Sequence, residues 1–432
     1  MRDFAVLDVR LYGRPIGTLT RLPGDQVLFA FNDVYIADQH RPTLSLSFKD
    51  IRGALITDVR PTQTRLPPFF ANLLPEEGPM RDLLAARAGI KPQREFFLIA
   101  VLGRDLPGAV EIQPAGSVMP HDDWSRGSGD VPSGDSAIAV EQSTTNAQSL
   151  EPLRFSLAGV QLKFSAIKGA AGGLTVRADG VGGTWIVKLP SSRYPEVPEN
   201  EFAMMELARR IGIAVPETQL IPVSQISGLP AEVTSLGERA FVIRRFDRAP
   251  TGELVQIEDF AQVFGVYPEE KYGRPGQRAS YRNIVEVLWA ETGEAGVTEF
   301  VRRLVFNVLI GNADMHLKNW SLIYPDRRTP ELSPAYDFVS TIAYIRDDKL
   351  ALTFVDSKEF ASVTLEQFER FAMKARLPTR LILDTVRETV ARFADAWNKS
   401  SPLAVPERVR QAIQGHLPKV PLWTEMRPRA QP

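Results

Sequence analysis

A short polar loop after an apolar stretch carries the residues best suited to chemistry. Asp314 and Asn319 are separated by four residues, and Asp337 follows a second turn marked by Pro334. This spacing is typical of a kinase catalytic loop, in which the Asp accepts the proton of the acceptor hydroxyl and the Asn binds a metal ion. A later Asp makes the other magnesium contact, and Asp337 can fill that place. The pattern predicts phosphoryl transfer, which needs a positioned base and hard oxygen ligands for Mg²⁺.

The competing interpretation is that Asp314, His316 and Asn319 are ordinary polar residues of a loop. Asp and Asn favour turns for local hydrogen-bonding reasons, and short motifs often match by chance. The flanking elements favour the catalytic interpretation. Residues 297–310 are apolar at helical spacing, and residues 320–324 have the pattern of a strand. A helix, a polar loop, a strand and a second Asp in this order predict a phosphotransferase site.

The composition indicates a globular protein of more than one domain. A length of 432 residues exceeds one ordinary hydrophobic core, and 44% hydrophobic with 24% charged residues is a usual globular balance. The net charge of -1 gives no general attraction to nucleic acid or to anionic membranes. The chain has no cysteine, no apolar run near the ~20 residues of a membrane span and no signal-peptide pattern. We therefore expect a cytoplasmic protein that does not act at a membrane.

Residues 1–113 predict a small α+β domain. Alternating apolar residues predict strands at 4–12, 16–22, 27–31 and 43–48. The pattern becomes helical over residues 67–88, with Gly89 placed to end the helix, and again over residues 96–102. Residues 114–151 are dominated by Gly, Ser, Asp, Thr and Pro, a composition typical of a flexible linker. This linker divides the chain.

After the linker, a strand and a helix bring two opposite charges into reach of each other. The strand at residues 184–189 carries Lys188, where the V-A-I-K lysine of kinases lies. The helix predicted at residues 199–212 offers Glu201 or Glu206 as its partner, as the helix-borne Glu does in kinases, and we prefer Glu201. A single lysine in an alternating strand is otherwise an exposed side chain, so the following helix is what favours the functional interpretation.

The remaining pattern completes a two-lobed architecture. Residues 241–247 predict a strand running into a polar turn, suited to the hinge beneath an adenine. Helical patterns follow at residues 259–264, 281–290, 365–374, 379–394 and 406–413. We predict an α+β protein with a bilobal protein-kinase-like fold. Its β-rich N-lobe spans residues 152–246 and its helical C-lobe spans residues 247–432, and the small α+β domain precedes both.

Several short motifs together give the chain a family likeness. They are Asn72-Leu-Leu-Pro-Glu76, Ile99-Ala-Val-Leu-Gly-Arg-Asp105, Ser156-Leu-Ala-Gly-Val-Gln-Leu-Lys163, Asn200-Glu201, Arg245-Phe-Asp-Arg248, Ile310-Gly-Asn-Ala-Asp-Met-His-Leu-Lys-Asn319 and Ala335-Tyr-Asp337. The chain resembles the HipA-like serine/threonine kinases, the toxin half of bacterial toxin–antitoxin pairs, over nearly its whole length apart from the linker. Each motif alone is weak, whereas the combination is specific.

The resemblance implies a role for each matching residue. Asp314 would be the catalytic base, Asn319 and Asp337 would hold Mg²⁺, and Lys188 would contact the ATP phosphates. The other residues implied in nucleotide binding are the phosphate-loop residues Ala158, Gly159, Val160, Gln161, Leu162 and Lys163, together with Arg244, Phe246 at the hinge, His316 and Tyr336.

Ser156 would be autophosphorylated, which would eject the phosphate loop and silence the enzyme. The chain departs from the family pattern in two places. Arg244 stands where the family often has an acidic residue, which bears on the adenine contact. Asp337-Phe-Val lacks the Gly of D-F-G, so we do not infer regulation by an activation segment like that of ordinary kinases.

The resemblance implies an ATP- and Mg²⁺-dependent protein serine/threonine kinase that acts as a toxin. Its partners would be a HipB-like helix-turn-helix antitoxin, through which contact with DNA would run, and a protein substrate such as an aminoacyl-tRNA synthetase. One alternative is a kinase acting on lipid or small-molecule hydroxyls, because a fold does not determine its substrate. The other is a catalytically inactive repressor or binding module. Assays that compare phosphorylation of proteins with phosphorylation of lipids would distinguish the two kinds of kinase. An assay of nucleotide binding would distinguish both from an inactive binding module.

Overall fold

The computed structural model describes residues 5–116, 163–168, 173–176, 183–191, 193–229, 237–274, 279–345, 348–398 and 404–426. Its strands are β1 Val6–Leu11, β2 Arg14–Leu22, β3 Gln26–Phe31, β4 Thr62–Gln63, β5 Val110–Pro114, β6 Lys163–Lys168, β7 Leu174–Val176, β8 Trp185–Lys188, β9 Thr218–Pro222, β10 Ile226–Ser227, β11 Arg239–Arg244, β12 Gln256–Asp259, β13 Ser321–Tyr324 and β14 Glu331–Leu332.

The helices in the same described ranges are α1 Asp33–Ala37, α2 Pro68–Ala71, α3 Pro79–Ala88, α4 Glu95–Leu102, α5 Val197–Arg210, α6 Phe260–Val263, α7 Tyr281–Ile310, α8 Leu365–Lys374, α9 Thr379–Asn398, α10 Glu407–His416 and α11 Pro421–Met426. The described part of the chain contains no helix long and apolar enough to cross a membrane. The predicted α+β class and the kinase-like fold are confirmed.

The N-terminal domain contains a five-stranded sheet in the order β4-β3-β2-β1-β5, with α1 against β2 and α4 against β5. Its strands form because apolar residues alternate along them, and Phe29 packs against Phe70 of α2 with ring centroids 4.8 Å apart. The strands predicted at residues 4–12, 16–22 and 27–31 are confirmed.

Two predictions for this domain are wrong. Residues 43–48 form no strand, because the Ser45 side chain accepts a bond from the Ser47 N–H and caps a 3₁₀ turn at Leu46–Phe48. The helix predicted over residues 67–88 is divided into α2 and α3, since Pro75 between them has no N–H to donate.

The N-lobe is a six-stranded sheet in the order β10-β7-β6-β8-β11-β9, covered by α5. In the register of β8, Lys188 lies opposite Lys163 on β6 and opposite Phe241 on β11. The apolar face of α5 carries Met204 and Leu207, both fully buried. This packing sets the phase of α5 and so decides which of its polar residues face the end of β8.

The C-lobe is organised around α7, which joins the two helices predicted at residues 281–290 and 297–310. The join is at Gly293, whose φ of 64° and ψ of -150° bend the helix. The helix ends at Gly311, which adopts φ 65° and donates its N–H to the Asn307 and Val308 carbonyls. The polar loop after Gly311 therefore leaves the helix from a fixed point in the core.

A buried polar cluster joins the N-terminal domain to the lobes. The Asp105 carboxylate accepts bonds of 2.9 Å from the guanidinium groups of Arg245 and Arg248. Asp247 lies between the same arginines and accepts a 2.8 Å bond from the Gly108 N–H. Burial alone would raise the pKa of Asp247, but the arginines hold it below its usual value. Gly108 has φ 80°, and a Cβ would lie 2.6 Å from a neighbouring side-chain oxygen, so the junction requires glycine.

Glu258 on β12 makes a second buried link to the N-terminal domain. Its carboxylate accepts bonds from the Ser45 hydroxyl at 2.5 Å and the Leu46 N–H at 2.9 Å, and a further bond from the Tyr324 hydroxyl. Burial raises the pKa of Glu258 to about 7, although these three bonds act in the opposite direction. The carboxyl group therefore remains protonated over much of the pH range in which an exposed Glu is charged.

This shifted pKa predicts that stability falls as the pH rises. The pKa of this carboxyl is about 7 in the folded chain and 4.5 in the unfolded chain. Its contribution to the free energy of unfolding is therefore complete below pH 4.5 and is lost as the pH rises through 7. Chemical denaturation should show the free energy of unfolding decreasing by on the order of 3 kcal/mol at most over this window. In the Glu258→Gln variant the free energy of unfolding should change less with pH. If it changes with pH as steeply as in the wild type, the raised pKa of Glu258 is wrong.

Candidate active site

We call residues 312–319, which are predicted to be catalytic, the catalytic loop. It is held by apolar side chains that point into the C-lobe core. Met315, Leu317 and Trp320 are all buried, and the Trp320 indole N–H donates to the Met315 carbonyl at 3.4 Å. The side chain of Asp314 in the same loop is 53% exposed. The alternation of apolar anchors with polar residues keeps the backbone in place and leaves the Asp314 carboxylate open to the cleft.

Two asparagine side chains fix the backbone at Asp314. Asn312 donates to the side-chain oxygen of Asn307 at 2.8 Å and accepts the Asp314 N–H at 3.0 Å. The amide group of Asn319 donates to the Asp314 carbonyl at 2.7 Å. Because the Asn319 nitrogen is used in this way, its oxygen is the atom left to bind a cation. Asn312 was assigned no role from the sequence, although it lies within a recognised motif.

Asp337 lies in the segment after β14 and is held from both sides. Its φ of 58° is in the left-handed region, which is uncommon for a residue other than glycine. The next residue, Phe338, is fully buried and packs on Phe306 of α7 at 5.0 Å between ring centroids. The Asn312 amide reaches the Asp337 carbonyl at 3.4 Å. These contacts present the Asp337 carboxylate to the N-lobe.

Lys188, at the end of β8, lies between two carboxylates. Its Nζ is 2.5 Å from Oε1 of Glu201 and also bonds Oδ1 of Asp337. Lys163, on the adjacent strand, lies 3.4 Å from Oδ2 of Asp337. The preferred pairing of Lys188 with Glu201 is confirmed, whereas Glu206 pairs with an arginine of its own helix. We call the set Lys163, Lys188, Glu201 and Asp337 the cleft ion cluster.

The charges in the cleft ion cluster stabilise one another. Burial alone would raise the pKa of Asp337, but Lys163 and Lys188 hold it well below its usual range. Burial alone would lower the pKa of Lys188, and the two carboxylates raise it instead. Burial raises the pKa of Glu201 to about 7 despite the neighbouring ammonium group. Lys188 and Asp337 are therefore charged at neutral pH, whereas the pKa of Glu201 lies close to neutral pH.

His316 is buried beside Asp314, with Nε2 3.9 Å from Oδ1 of the carboxylate. Burial and the positive charge of Lys271 hold its pKa well below the usual value, so the imidazole is neutral. Its Nδ1 is buried and finds no hydrogen-bond partner in the described part of the chain. Because buried polar atoms are nearly always bonded, this nitrogen fits a site that a polar ligand completes.

A tyrosine that was not identified from the sequence forms a hydrogen bond with the Asp314 carboxylate. The Tyr272 hydroxyl donates a 2.5 Å bond to Oδ1 of Asp314, and the Tyr272 ring stands edge-on to His316 with centroids 5.1 Å apart. Burial raises the pKa of Tyr272, as does the Asp314 charge, so the phenol is protonated. Burial raises the pKa of Asp314 as well, and the bond from Tyr272 partly opposes that rise. Tyr272 belongs to no recognised motif, so local sequence gave no signal for it.

The residues predicted at the hinge are also brought together in part. Phe246 and Tyr336 face each other with ring centroids 5.7 Å apart, and the Tyr336 hydroxyl donates to the Lys318 carbonyl at 2.9 Å. The Arg244 side chain is directed to Glu217 at 3.9 Å and is partly exposed. Six predicted residues, Ser156, Ala158, Gly159, Val160, Gln161 and Leu162, lie outside the described residues.

The N-terminal domain contacts the catalytic loop directly. Nζ of Lys318 donates to both the backbone and side-chain oxygens of Asn72 at 3.1 Å. Nζ of Lys271, beside Tyr272, lies 2.6 Å from Glu76. The sequence identified the segment that contains Asn72 and Glu76 by its likeness and gave it no role. The geometry makes it a support of the active site.

The oxygen donors of the site suit a magnesium ion shared with phosphate. Among the described residues, no group of three or more His, Asp or Glu side chains forms a closed metal site. Mg²⁺ is usually bound by one or two protein carboxylates and takes its other ligands from water and substrate phosphates. The Asp337 carboxylate and the Asn319 amide oxygen are donors of this kind, so the residues present fit the ion.

A β-rich lobe, a helical lobe and a cleft that combines the ion cluster with Asp314 and Asn319 define a protein of the kinase class. Comparison with protein families then identifies the chain more closely. Residues 155–397 match the HipA-like C-terminal domain, and residues 7–113 match the HipA N-terminal domain. The chain belongs to the HipA-like family and is a kinase.

Similarity to individual proteins extends over the full length. The chain is 54% identical to the Sinorhizobium fredii protein Y4dM, which is named as a kinase, over 98% of this chain and 99% of that protein. It is 26% identical to the Shewanella oneidensis serine/threonine-protein kinase toxin HipA, over 78% of this chain and 77% of the toxin. The fold matches a HipA chain in the structure of a Shewanella oneidensis HipA, HipB and operator DNA complex, with a TM-score of 0.69 and 23% identity, over 97% and 96% of the two chains.

The position of Asp314 predicts a specific catalytic defect. The Asp314→Asn variant should lose phosphoryl transfer by about 10²–10⁴-fold, because a positioned general base typically contributes that much. Nucleotide binding should survive, since the cleft ion cluster is untouched. Transfer of labelled phosphate and calorimetric ATP binding measure the two effects. Asp356→Asn, at an exposed position, is the control. Near-normal transfer in Asp314→Asn would contradict the assignment.

Proposed function

We propose that the chain is an ATP- and Mg²⁺-dependent protein serine/threonine kinase that acts as the toxin of a toxin–antitoxin pair. The observation that carries the proposal is the cleft ion cluster, in which Lys188 pairs with Glu201 next to Asp337. A lysine paired with a helix-borne glutamate and a metal-binding aspartate are the parts that kinases use to hold nucleotide phosphates. Asp314 lies in the loop that supplies the base.

Binding of ATP would exchange one set of ion pairs for another. Lys163 and Lys188 already neutralise the Asp337 carboxylate, so an incoming polyphosphate would compete for both ammonium groups. That exchange would release Asp337 to hold Mg²⁺ together with the Asn319 oxygen. Bound Mg²⁺ would supply neutralisation of the charge that develops on the transferred phosphoryl group. The adenine would lie near Phe246 and Tyr336, and His316 Nδ1 would meet a polar atom of the ligand.

The acceptor hydroxyl would react at Asp314. The carboxylate would accept the hydroxyl proton while the acceptor oxygen bonds to the γ-phosphorus and the bond to the bridging oxygen of ADP breaks. The protein atoms around Asp314 partly desolvate it and raise its pKa, which makes the carboxylate a better proton acceptor than a fully hydrated aspartate. The half-exposed position of Asp314 supports a large acceptor such as a loop of another protein.

The partners are proposed from the family. A relative of similar fold forms a complex with HipB and operator DNA, which supports a HipB-like antitoxin for this chain. The net charge of -1 favours DNA contact through that antitoxin rather than through the kinase itself. The substrate we propose is an aminoacyl-tRNA synthetase, phosphorylated on a serine near its nucleotide site, because an added dianion there repels ATP phosphates. Phosphate on Ser156 would silence the toxin for the same reason.

One experiment separates this proposal from its alternatives. Bacterial cells expressing the wild type or Asp314→Asn are compared for phosphopeptides and for labelled lipids. We expect phosphoserine on a synthetase and on Ser156 only with the wild type. Labelled lipids without new phosphoproteins would replace the proposal with a lipid kinase. A chain that neither binds ATP nor adds phosphate to any molecule would instead be a binding module.

A further inference from the structure

The Tyr272 hydroxyl occupies the place on Asp314 that an acceptor hydroxyl needs. It donates to Oδ1 of Asp314 at 2.5 Å, the length of a strong hydrogen bond from a hydroxyl to a carboxylate. The residue is 42% exposed, so part of its side chain is accessible to solvent. An acceptor cannot bond the same carboxylate oxygen in the same direction while the phenol is there.

The segment that carries Tyr272 is fixed by contacts with three other parts of the chain. Lys271 bonds Glu76 of the N-terminal domain at 2.6 Å, and its carbonyl accepts the Leu317 N–H of the catalytic loop at 3.1 Å. The Tyr272 carbonyl accepts a 3.1 Å bond from Nζ of Lys358. The backbone before the phenol is thus bound to the loop that holds Asp314, and the Tyr272 carbonyl is bound to Lys358. These bonds hold the segment in place, and the ring itself is placed by its edge-on contact with His316 and its bond to Asp314.

We propose that Tyr272 is a gate at the acceptor site, whose phenol occupies Asp314 until an acceptor hydroxyl displaces it. The inference rests on the proposed function, because it takes Asp314 as the base. Its consequence is specificity. Water binds too weakly to displace the phenol. A docked protein makes contacts elsewhere on the enzyme, and these offset the loss of the bond between Tyr272 and Asp314. The gate therefore suppresses the wasteful transfer of phosphate to water when no protein substrate is present.

The reaction that the gate prevents can be measured without knowing the substrate. In ATP hydrolysis a water oxygen bonds to the γ-phosphorus, the bond to the bridging oxygen breaks, and the water proton passes to Asp314, which gives ADP and inorganic phosphate. Tyr272→Phe keeps the ring against His316 and removes only the hydroxyl. We expect acceptor-free hydrolysis of Mg-ATP to rise about tenfold, the scale of one hydrogen bond to a charged group. The KM for ATP should not change.

Two further variants make the test specific. The double variant Tyr272→Phe with Asp314→Asn should lose the added hydrolysis, because the gain acts through the base. Tyr267→Phe is the matched control, since this tyrosine lies on the same segment and its ring stacks on Arg65, with the guanidinium carbon 3.9 Å from the ring centroid. It should hydrolyse ATP at the wild-type rate.

Each result decides one question. If the wild type binds and hydrolyses Mg-ATP and Tyr272→Phe does so at the same rate, the gate is wrong and the proposed function stands. A gain that persists in the double variant would also overturn the gate. Phosphotyrosine at Tyr272 in the active protein would overturn it too, because the phenol would then be an acceptor itself. If no form of the protein binds ATP, the proposed function fails first.

Discussion

The structure depends above all on the placement of Lys188 between Glu201 and Asp337. The three residues belong to a strand of the N-lobe, the helix behind it and a segment of the C-lobe, so their ion pairs fix how the lobes meet. Asn200, next to Glu201, adds to this by bonding both the N–H and the carbonyl of Ser340 at 3.1 Å. Buried charges are costly unless they are paired, and here the pairing also assembles the site. The groups that join the lobes are those that we propose bind the nucleotide phosphates.

The N-terminal domain is a structural part of this active site. Asn72 holds Lys318 in the catalytic loop, and Glu76 holds Lys271 beside Tyr272. The buried cluster of Asp105 with two arginines fixes the domain to the end of β11, where the hinge begins. The domain therefore supports both Asp314, the proposed base, and the region of Tyr272, which bonds it. A change in how this domain is docked would be transmitted to Asp314 through these contacts.

Local sequence could predict the parts of the site whose spacing follows from one element. The interval between Asp314 and Asn319, the helix that ends at Gly311 and the phase of Glu201 on its helix are all of this kind. Contacts between segments that are distant in the chain leave no periodic pattern in the sequence. The bond from Tyr272 to Asp314 therefore could not be predicted from the sequence, and the contact of Arg245 with Asp105 was indicated only by the motifs in which they lie. The strand predicted at residues 43–48 was wrong because its polar groups bond a neighbouring turn and Glu258, which the alternation of apolar residues does not reveal.

The central claim is that the cleft ion cluster is a site for magnesium and nucleotide phosphate. Calorimetric titration with ATP, with and without Mg²⁺, tests it most directly in the wild type, Asp337→Ala and the exposed control Asp356→Ala. We expect Mg²⁺ to strengthen ATP binding in the wild type and the control, and we expect Asp337→Ala to lose this effect because the proposed metal ligand is gone. Equal dependence on Mg²⁺ in Asp337→Ala and the wild type would contradict the account.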